Sequence, residues 1–337
     1  MAAESMEPLL ARCVASWCAD ATGVSAVTRL SGGASQETWS FDIAHPDGLI
    51  GAILRRAPEG YGAASGRACG LITEAALIRR AQEAGVPAPV VLHALDENDG
   101  LGTGFIMKRI AGETIPRKIL RDELFAAVRP KLAHQLGGIL AGIHGLPQAE
   151  LPELRRMTAA AEIDELADDI AAFDWPRPVF QLALRWLREN DPGVADRVTL
   201  VHGDFRHGNL MIGPDGVRAV LDWELAHLGD PMEDLGWICV NSWRFGEIDR
   251  PVGGFGERND LFAGYEAASG IRVDPSRVKF WEVMGTLRWG VMCCGMMQRF
   301  RDGPDHSMER AMIGRRSSET EIDLLRLLAP RGASHAG

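Results

Sequence analysis

The first 110 residues alternate between apolar and polar positions in short runs that are typical of β-strands. Such alternation turns one face of each strand toward a core, and turn residues separate the runs. The pattern predicts strands over residues 24–30, 38–43, 49–55, 88–94 and 104–110, and a helix over residues 71–84. Strands around one helix predict a small lobe with an antiparallel sheet.

After residue 110 the apolar positions follow the period of amphipathic helices. Helices are predicted over residues 122–144, 159–173 and 177–190, and again from residue 232 to about residue 328. A short β segment over residues 198–223 interrupts them. We therefore expect a bilobed α+β protein, with an N-terminal lobe of residues 1–110 and a mainly helical C-terminal lobe of residues 111–330.

Composition and charge narrow the class of protein. The chain has 337 residues, of which 46% are hydrophobic and 24% are charged, as in an average globular protein. The net charge of -10 argues against nucleic acid or an anionic membrane as a partner. The chain shows neither a membrane-spanning apolar run nor the pattern of a secretory signal, and its six cysteines lack paired metal-ligand spacing. We expect a cytoplasmic protein with reduced thiols.

Residue types suited to phosphate chemistry concentrate in the β segment. Residues 209–212 and 217–221 are short apolar strands joined by a Gly-Pro-Asp-Gly turn. Pairing residue 212 with residue 217 sets Asn209 opposite Val220, so that Asn209 and Asp222 share the open end of the hairpin. Their oxygen atoms suit a hard cation such as Mg²⁺.

Asp204 lies on the loop before this hairpin and is predicted to reach the same end. Its carboxylate suits acceptance of a proton from an attacking hydroxyl, while a cation neutralises a polyphosphate. Two other interpretations stay open at this point. Asp204 and Asn209 are also common turn residues, and Asp204 with His202 and His207 has the residue types of a zinc site.

The motifs His-Gly-Asp at 202–204, with Asn209, and Leu-Asp-Trp-Glu at 221–224 resemble the catalytic loop and metal motif of the aminoglycoside phosphotransferase and choline kinase superfamily, which is similar to protein kinases in fold. The likeness covers nearly the whole chain, and residues 224–231 with 285–290 look more like the branch associated with acyl-CoA dehydrogenases. The resemblance implies that Asp204 is the base, that Asn209 and Asp222 bind magnesium, and that Asp234 braces the catalytic loop. Asp234 also has the residue type of a helix start, as does Asp230.

The first lobe supplies parts that match this resemblance. A Gly-rich loop between two strands is placed to cover a nucleotide, and residues 104–110 resemble the connector whose backbone hydrogen-bonds adenine. A glutamate on the helix after the third strand resembles the partner of the phosphate-positioning lysine, but an arginine stands at the lysine position. The candidate nucleotide-binding residues are Gly32, Gly33, Ser35, Arg55, Glu74, Lys108 and Ile110.

The expected function is therefore a phosphotransferase that uses ATP and magnesium and transfers phosphate to a hydroxyl of a small molecule. A nucleotide-binding pseudokinase is the alternative, because Arg55 replaces lysine. The acceptor stays open among aminoglycosides, choline-like alcohols and hydroxyacyl-CoA, as do the oligomeric state and the choice of ATP or GTP. Arg288 needs an anionic or carbonyl partner, and an apolar slot facing it would favour an acyl or carboxylate acceptor. The acidic run 162–169 is expected to be a solvated helix face.

Overall fold

The computed structural model describes residues 3–30, 36–57, 66–173, 175–303 and 306–329. The candidate residues Gly32, Gly33 and Ser35 lie outside these ranges. The helices are α1 Ala3–Trp17, α2 Leu71–Glu83, α3 Pro116–Arg121, α4 Leu132–His144, α5 Ala159–Ala171, α6 Pro178–Glu189, α7 Met232–Trp237, α8 Arg258–Ser269, α9 Pro275–Asp302, α10 Met308–Arg315 and α11 Ser317–Leu328. The strands are β1 Gly23–Leu30, β2 Glu37–His45, β3 Gly48–Arg56, β4 Val91–Ala94, β5 Gly104–Lys108, β6 Thr199–Val201, β7 Leu210–Gly213, β8 Gly216–Val220 and β9 His227–Gly229.

A five-stranded antiparallel sheet in the order β1-β2-β3-β5-β4 forms the first part of the chain. Trp39, Phe41 and Ile43 alternate with more exposed neighbours along β2 and are fully buried, as the period of a half-buried strand requires. They share one hydrophobic cluster with Met6 and Leu10 of α1. The helix α1 therefore covers one face of this sheet.

A second hydrophobic cluster runs from α2 and β5 through the helical part of the chain. Within it, α4 and α8 touch backbone to backbone at two glycines. A methyl group on Gly137 would meet the carbonyl oxygen of Leu261 at 2.1 Å, and one on Gly264 would meet that of His134 at 2.0 Å. The long helix α9 packs against α7, α10 and α11.

Two predicted helical stretches are interrupted in the structure. The helix predicted over residues 122–144 begins only at Leu132, after two 3₁₀ turns, because Pro130 has no amide hydrogen to donate and its ring crowds the preceding turn. The helices predicted from residue 232 onward break between α7 and α8. Gly246, Gly253 and Gly254 there adopt positive φ angles that end helices.

The segment that carries Asp204 is flanked by two small antiparallel sheets, β6 with β9 and the hairpin of β7 and β8. The hairpin register differs from the prediction by a bulge. Ile212 pairs with Val217 as expected, but Leu210 rather than Asn209 lies opposite Val220. The extra residue of the bulge moves Asn209 beyond the paired strands.

The architecture confirms the bilobed α+β fold, with an antiparallel sheet followed by helices. The lobe boundary near residue 110 stays a prediction. In the described part of the chain, no helix is both long and apolar enough to cross a membrane.

Candidate active site

The loop that carries Asp204 is fixed by a buried carboxylate behind it. Asp234 accepts hydrogen bonds from the backbone amides of His202, at 2.8 Å, and Gly203, at 3.0 Å. His144 holds the same carboxylate from the other side at 3.1 Å. Gly203 has a φ of +78°, and a side chain there would meet the Leu225 carbonyl oxygen at 2.5 Å. The contacts of Asp234 are those of a brace for the loop, whereas Asp230 accepts from the Met232 amide at a helix start.

The side chain of Asp204 is held by donors from three residues. The Asn209 amide donates to Oδ2 at 2.6 Å, and the Trp237 indole donates to Oδ1 at 2.9 Å. The Nε of Arg206 lies 3.0 and 3.2 Å from the two oxygens, and its guanidinium rests over the ring of Trp243. This arrangement orients the carboxylate before any substrate arrives.

Asp222 follows the hairpin in a left-handed conformation, with a φ of +66°. Aspartate tolerates this region better than most residues. The amide of Leu221 donates to the backbone oxygen of Asn209 at 2.8 Å, which ties the two ends of the hairpin together. Asp222 therefore lies at the open end of the hairpin beside Asn209, as the sequence predicted, although the register there contains a bulge.

Arg55 joins the sheet to this end of the hairpin. Its Nη1 lies 3.0 Å from Glu74 Oε1, and its Nη2 lies 2.9 Å from Asp222 Oδ1. Gln36 accepts two further hydrogen bonds from the same guanidinium and donates to Glu224 at 3.0 Å. The guanidinium thus links α2, the end of β3 and the segment after β8.

Two glutamates near Arg55, Glu74 and Glu224, have raised pKa values. Burial raises the pKa of Glu74 to about 7, with Asp222 and Glu224 adding to it and Arg55 opposing it. Burial, followed by the charge of Asp222, likewise raises the pKa of Glu224 to about 7. One Glu74 oxygen is buried with no hydrogen-bond partner among the described residues. Several acids packed around one guanidinium are typical of functional sites.

Lys108 and Ile110 lie apart from this network of side-chain contacts. Lys108 is the last residue of β5; its side chain is exposed, and its amide donates to the Val90 oxygen at 2.8 Å. Ile110 is half-buried and follows the strand, which ends two residues earlier than predicted. Contacts among described residues bring together Asp204, Asn209, Asp222, Arg55 and Glu74.

Sequence reasoning gave no role to four further residues of this network. Gln36, Arg206 and Trp237 contact the group directly, and Glu224 joins it through Gln36. The positions of Arg206 and Glu224, each two residues after a predicted acid, were a signal that could have identified them. Trp237 gave no such signal, because its contact with Asp204 spans 33 residues.

A buried charged cluster lies behind the loop. Arg288 Nη1 contacts Glu162 at 3.1 Å and Glu233 at 2.8 Å, while Nη2 donates to the Gly203 oxygen at 3.3 Å. His227 contacts Glu233 at 3.1 Å. The prediction of a solvated acidic face was wrong for Glu162, which is only 3% exposed because its side chain pairs inward. Arg288 therefore gives no support to an acyl or carboxylate acceptor.

The alternative zinc site at His202, Asp204 and His207 does not form. Nδ1 of His202 accepts from the Asp204 amide at 3.2 Å, and His207 contacts the Gly253 oxygen at 2.6 Å. Among the described residues, these three side chains do not make a metal-ligating group. Both histidines are buried, and burial lowers the pKa of His207 to about 4.

The chain is similar in sequence to known proteins. A sequence model of the phosphotransferase enzyme family matches residues 26–271. Acyl-CoA dehydrogenase family member 10 of Mus musculus is 29% identical over 202 residues, which are 56% of this chain and 18% of that protein. The chain thus spans less than a fifth of that relative.

Solved structures share the fold. An aminoglycoside phosphotransferase homologue of Ralstonia eutropha superposes with a TM-score of 0.70 at 20% identity, covering 94% of this chain and 97% of that one. A spectinomycin phosphotransferase in complex with ADP and spectinomycin superposes with a TM-score of 0.65 at 14% identity, covering 97% and 99%.

Proposed function

Since the chain belongs to the phosphotransferase enzyme family, as residues 26–271 show, we propose that it transfers the γ-phosphate of ATP to a hydroxyl of a small molecule. The observation that carries this proposal is the oriented carboxylate of Asp204, held by Asn209, Trp237 and Arg206 beside the end of the hairpin that bears Asp222. In this proposal Asp204 accepts the proton of the attacking hydroxyl.

The residues around Asp222 fit a magnesium ion. Asp222 and Asn209 offer carboxylate and amide oxygens, the donors that Mg²⁺ prefers, at one end of a hairpin. The Asn209 amide nitrogen is committed to Asp204, which leaves its side-chain oxygen for the metal. When bound there, the metal supplies neutralisation of the phosphate charge.

Nucleotide binding is assigned to the sheet and to Arg55. The contacts of Arg55 with Glu74 and Asp222 are those expected of a cation that positions phosphates, so we propose that it serves where many kinases use lysine. Residues 1–110 then form the nucleotide lobe and residues 111–330 the catalytic lobe. Gly32, Gly33 and Ser35 cover the phosphates in this proposal, and the backbone near Lys108 and Ile110 holds the base.

The acceptor is proposed from the relatives. The match to an acyl-CoA dehydrogenase family member supports a hydroxylated acyl thioester as the first acceptor to test. The structural neighbour that binds spectinomycin supports aminocyclitol antibiotics as the second.

The test measures ATP consumption by the purified protein with magnesium, against hydroxyacyl-CoA compounds, aminoglycosides, choline-like alcohols and sugars. Asp204→Asn should lose acceptor-dependent turnover, by about a thousandfold or more if it removes the base, and should retain nucleotide binding. Asp215→Asn is the matched control, because Asp215 lies in the exposed turn at the opposite end of the same hairpin, where it pairs with Arg218 at the surface.

Turnover lost in Asp204→Asn and kept in Asp215→Asn supports the assignment of the base. Full activity in Asp204→Asn contradicts it. Nucleotide binding with no turnover on any acceptor favours the pseudokinase, which senses or scaffolds without catalysis. Competition between ATP and GTP in the same assay sets the nucleotide preference.

A further inference from the structure

A cysteine, a histidine and an aspartate from distant parts of the chain meet outside the network around Asp204. Cys13 lies on α1, His93 on β4, and Asp99 ends the 3₁₀ turn Glu97–Asp99. One ligand atom from each lies within 4.8 Å of the other two. Cys13 and Asp99 are buried, while the side chain of His93 is 19% exposed and gives access from solvent. We propose that these three side chains bind one Zn²⁺ ion.

The donor set selects zinc over the hard cations. A thiolate, an imidazole and a carboxylate are the three protein ligand types of zinc, whereas Mg²⁺ and Ca²⁺ prefer oxygen alone. Tetrahedral zinc with ordinary bond lengths separates neighbouring ligand atoms by about 3.3–3.6 Å. His93 Nε2 and Asp99 Oδ2 lie 2.8 Å apart in a hydrogen bond, so they move apart slightly to admit the ion. Three protein ligands leave the fourth position to water.

The ligands are already oriented by their neighbours. The Asp96 amide donates to Asp99 Oδ2 at 2.8 Å, within a capping box that fixes the turn. The ring of His93 stacks on Trp17 with centroids 5.5 Å apart and an angle of 11° between the planes. Outer contacts of this kind pre-position metal ligands and reduce what binding must order.

The proposed ion has a structural consequence. Zinc coordinates the thiolate, so the proton of the Cys13 thiol passes to solvent when the metal binds. Because Cys13 belongs to α1 and the other two ligands belong to the sheet and its turn, the ion also fastens α1 to the sheet.

The experiment titrates the metal-free full chain with Zn²⁺ in competition with a chromophoric chelator. Excess magnesium occupies the oxygen ligands of the active site. We expect one equivalent of zinc in the unmodified protein and in Cys18→Ser, a control thiol just after the same helix. Cys13→Ser should weaken zinc binding by about a hundredfold or more. His93→Gln should do the same, although its amide still reaches toward Asp99.

Co²⁺ provides a second measurement on the unmodified chain, because a thiolate bound to cobalt gives an intense near-ultraviolet absorption that a carboxylate site lacks. That absorption should appear with one equivalent of Co²⁺, persist in Cys18→Ser and vanish in Cys13→Ser. If circular dichroism shows that Cys13→Ser does not fold, zinc binding by His93→Gln and the cobalt spectrum of the unmodified protein test the proposal instead. The proposal is overturned if stoichiometric zinc is absent, or if Cys13→Ser and His93→Gln bind zinc as tightly as the unmodified protein does; a hydrogen-bonded triad then remains. None of these readouts involves phosphate transfer, so they are independent of the proposed function.

Discussion

Replacing Arg288 by methionine tests whether the buried charged cluster of Arg288, Glu162, Glu233 and His227 stabilises the fold behind the loop that carries Asp204. Methionine keeps much of the length of the side chain and removes its charge. In the native protein this guanidinium contacts Glu162, Glu233 and the Gly203 oxygen, and it lies 4.2 Å from the ring centroid of Trp237. The change leaves two buried carboxylates without their shared cation.

The size of the stability loss depends on the ion pairs that remain in the variant. Breaking a buried ion pair by removing one partner costs about 3–5 kcal/mol. Glu233 keeps His227 as a partner, so its charge remains compensated. Burial already raises the pKa of Glu162, so this carboxyl takes up a proton in the variant and limits the loss. We therefore expect Arg288→Met to lower the free energy of unfolding by about 3 kcal/mol, the low end of that range.

Urea unfolding followed by tryptophan fluorescence measures this change. The control is Arg185→Met, since Arg185 is an exposed arginine paired with Glu189 one helical turn away, and this change should leave the free energy of unfolding nearly unchanged. Glu162→Gln in the Arg288→Met background should recover part of the loss, because the amide is neutral without having to take up a proton. A cost for Arg288→Met no larger than that for Arg185→Met would refute the reasoning.

Two further predictions concern charge at single positions. Arg55→Lys should lower kcat/KM for ATP by about tenfold, because an ammonium cannot contact Glu74, Asp222 and Gln36 together as the guanidinium does. Steady-state kinetics measures this ratio. An unchanged or higher kcat/KM would contradict the prediction. Burial opposes the charged form of His227, but Glu233 raises its pKa to about 9. The protonated His227 therefore stabilises the fold fully below about pH 6.5, and about 3 kcal/mol of this stability is lost as pH rises to 9. In urea unfolding between pH 6.5 and 9, His227→Gln should remove this pH dependence of the unfolding free energy. An unchanged pH dependence would disprove the assignment of this effect to His227.

Much of the fold follows from local pattern in the sequence. Strict alternation in β2 and the turn between β2 and β3 identified those strands within two residues at either end. The predicted elements differ from the structure where a single residue changes the backbone without changing the apolar pattern. Pro130 shortened α4, and a bulge shifted the hairpin register at Asn209. Neither the missing amide nor the extra residue changes the apolar pattern, so periodicity alone could not reveal them.

The site was predictable where its parts are close in sequence. Asp204, Asn209 and Asp222 lie within 19 residues, and a hairpin brings them together. The partners of these acids come from far along the chain: Trp237 reaches Asp204 across 33 residues, and Arg55 reaches Asp222 across 167. Such contacts depend on how the sheet and helices pack, and sequence spacing carries no record of that packing.

The arginines explain how several acids lie close together in the protein. Asp204 is paired with Arg206, and Asp222 is paired with Arg55. Without these cations, the carboxylates would repel one another more strongly. Burial, followed by the charge of Asp222, already raises the pKa of Glu224. Arg55 pairs with the same carboxylate that the proposed function assigns to the metal. A metal ion held by Asp222 would compete with this pairing, while Glu74 and Gln36 would still hold the guanidinium.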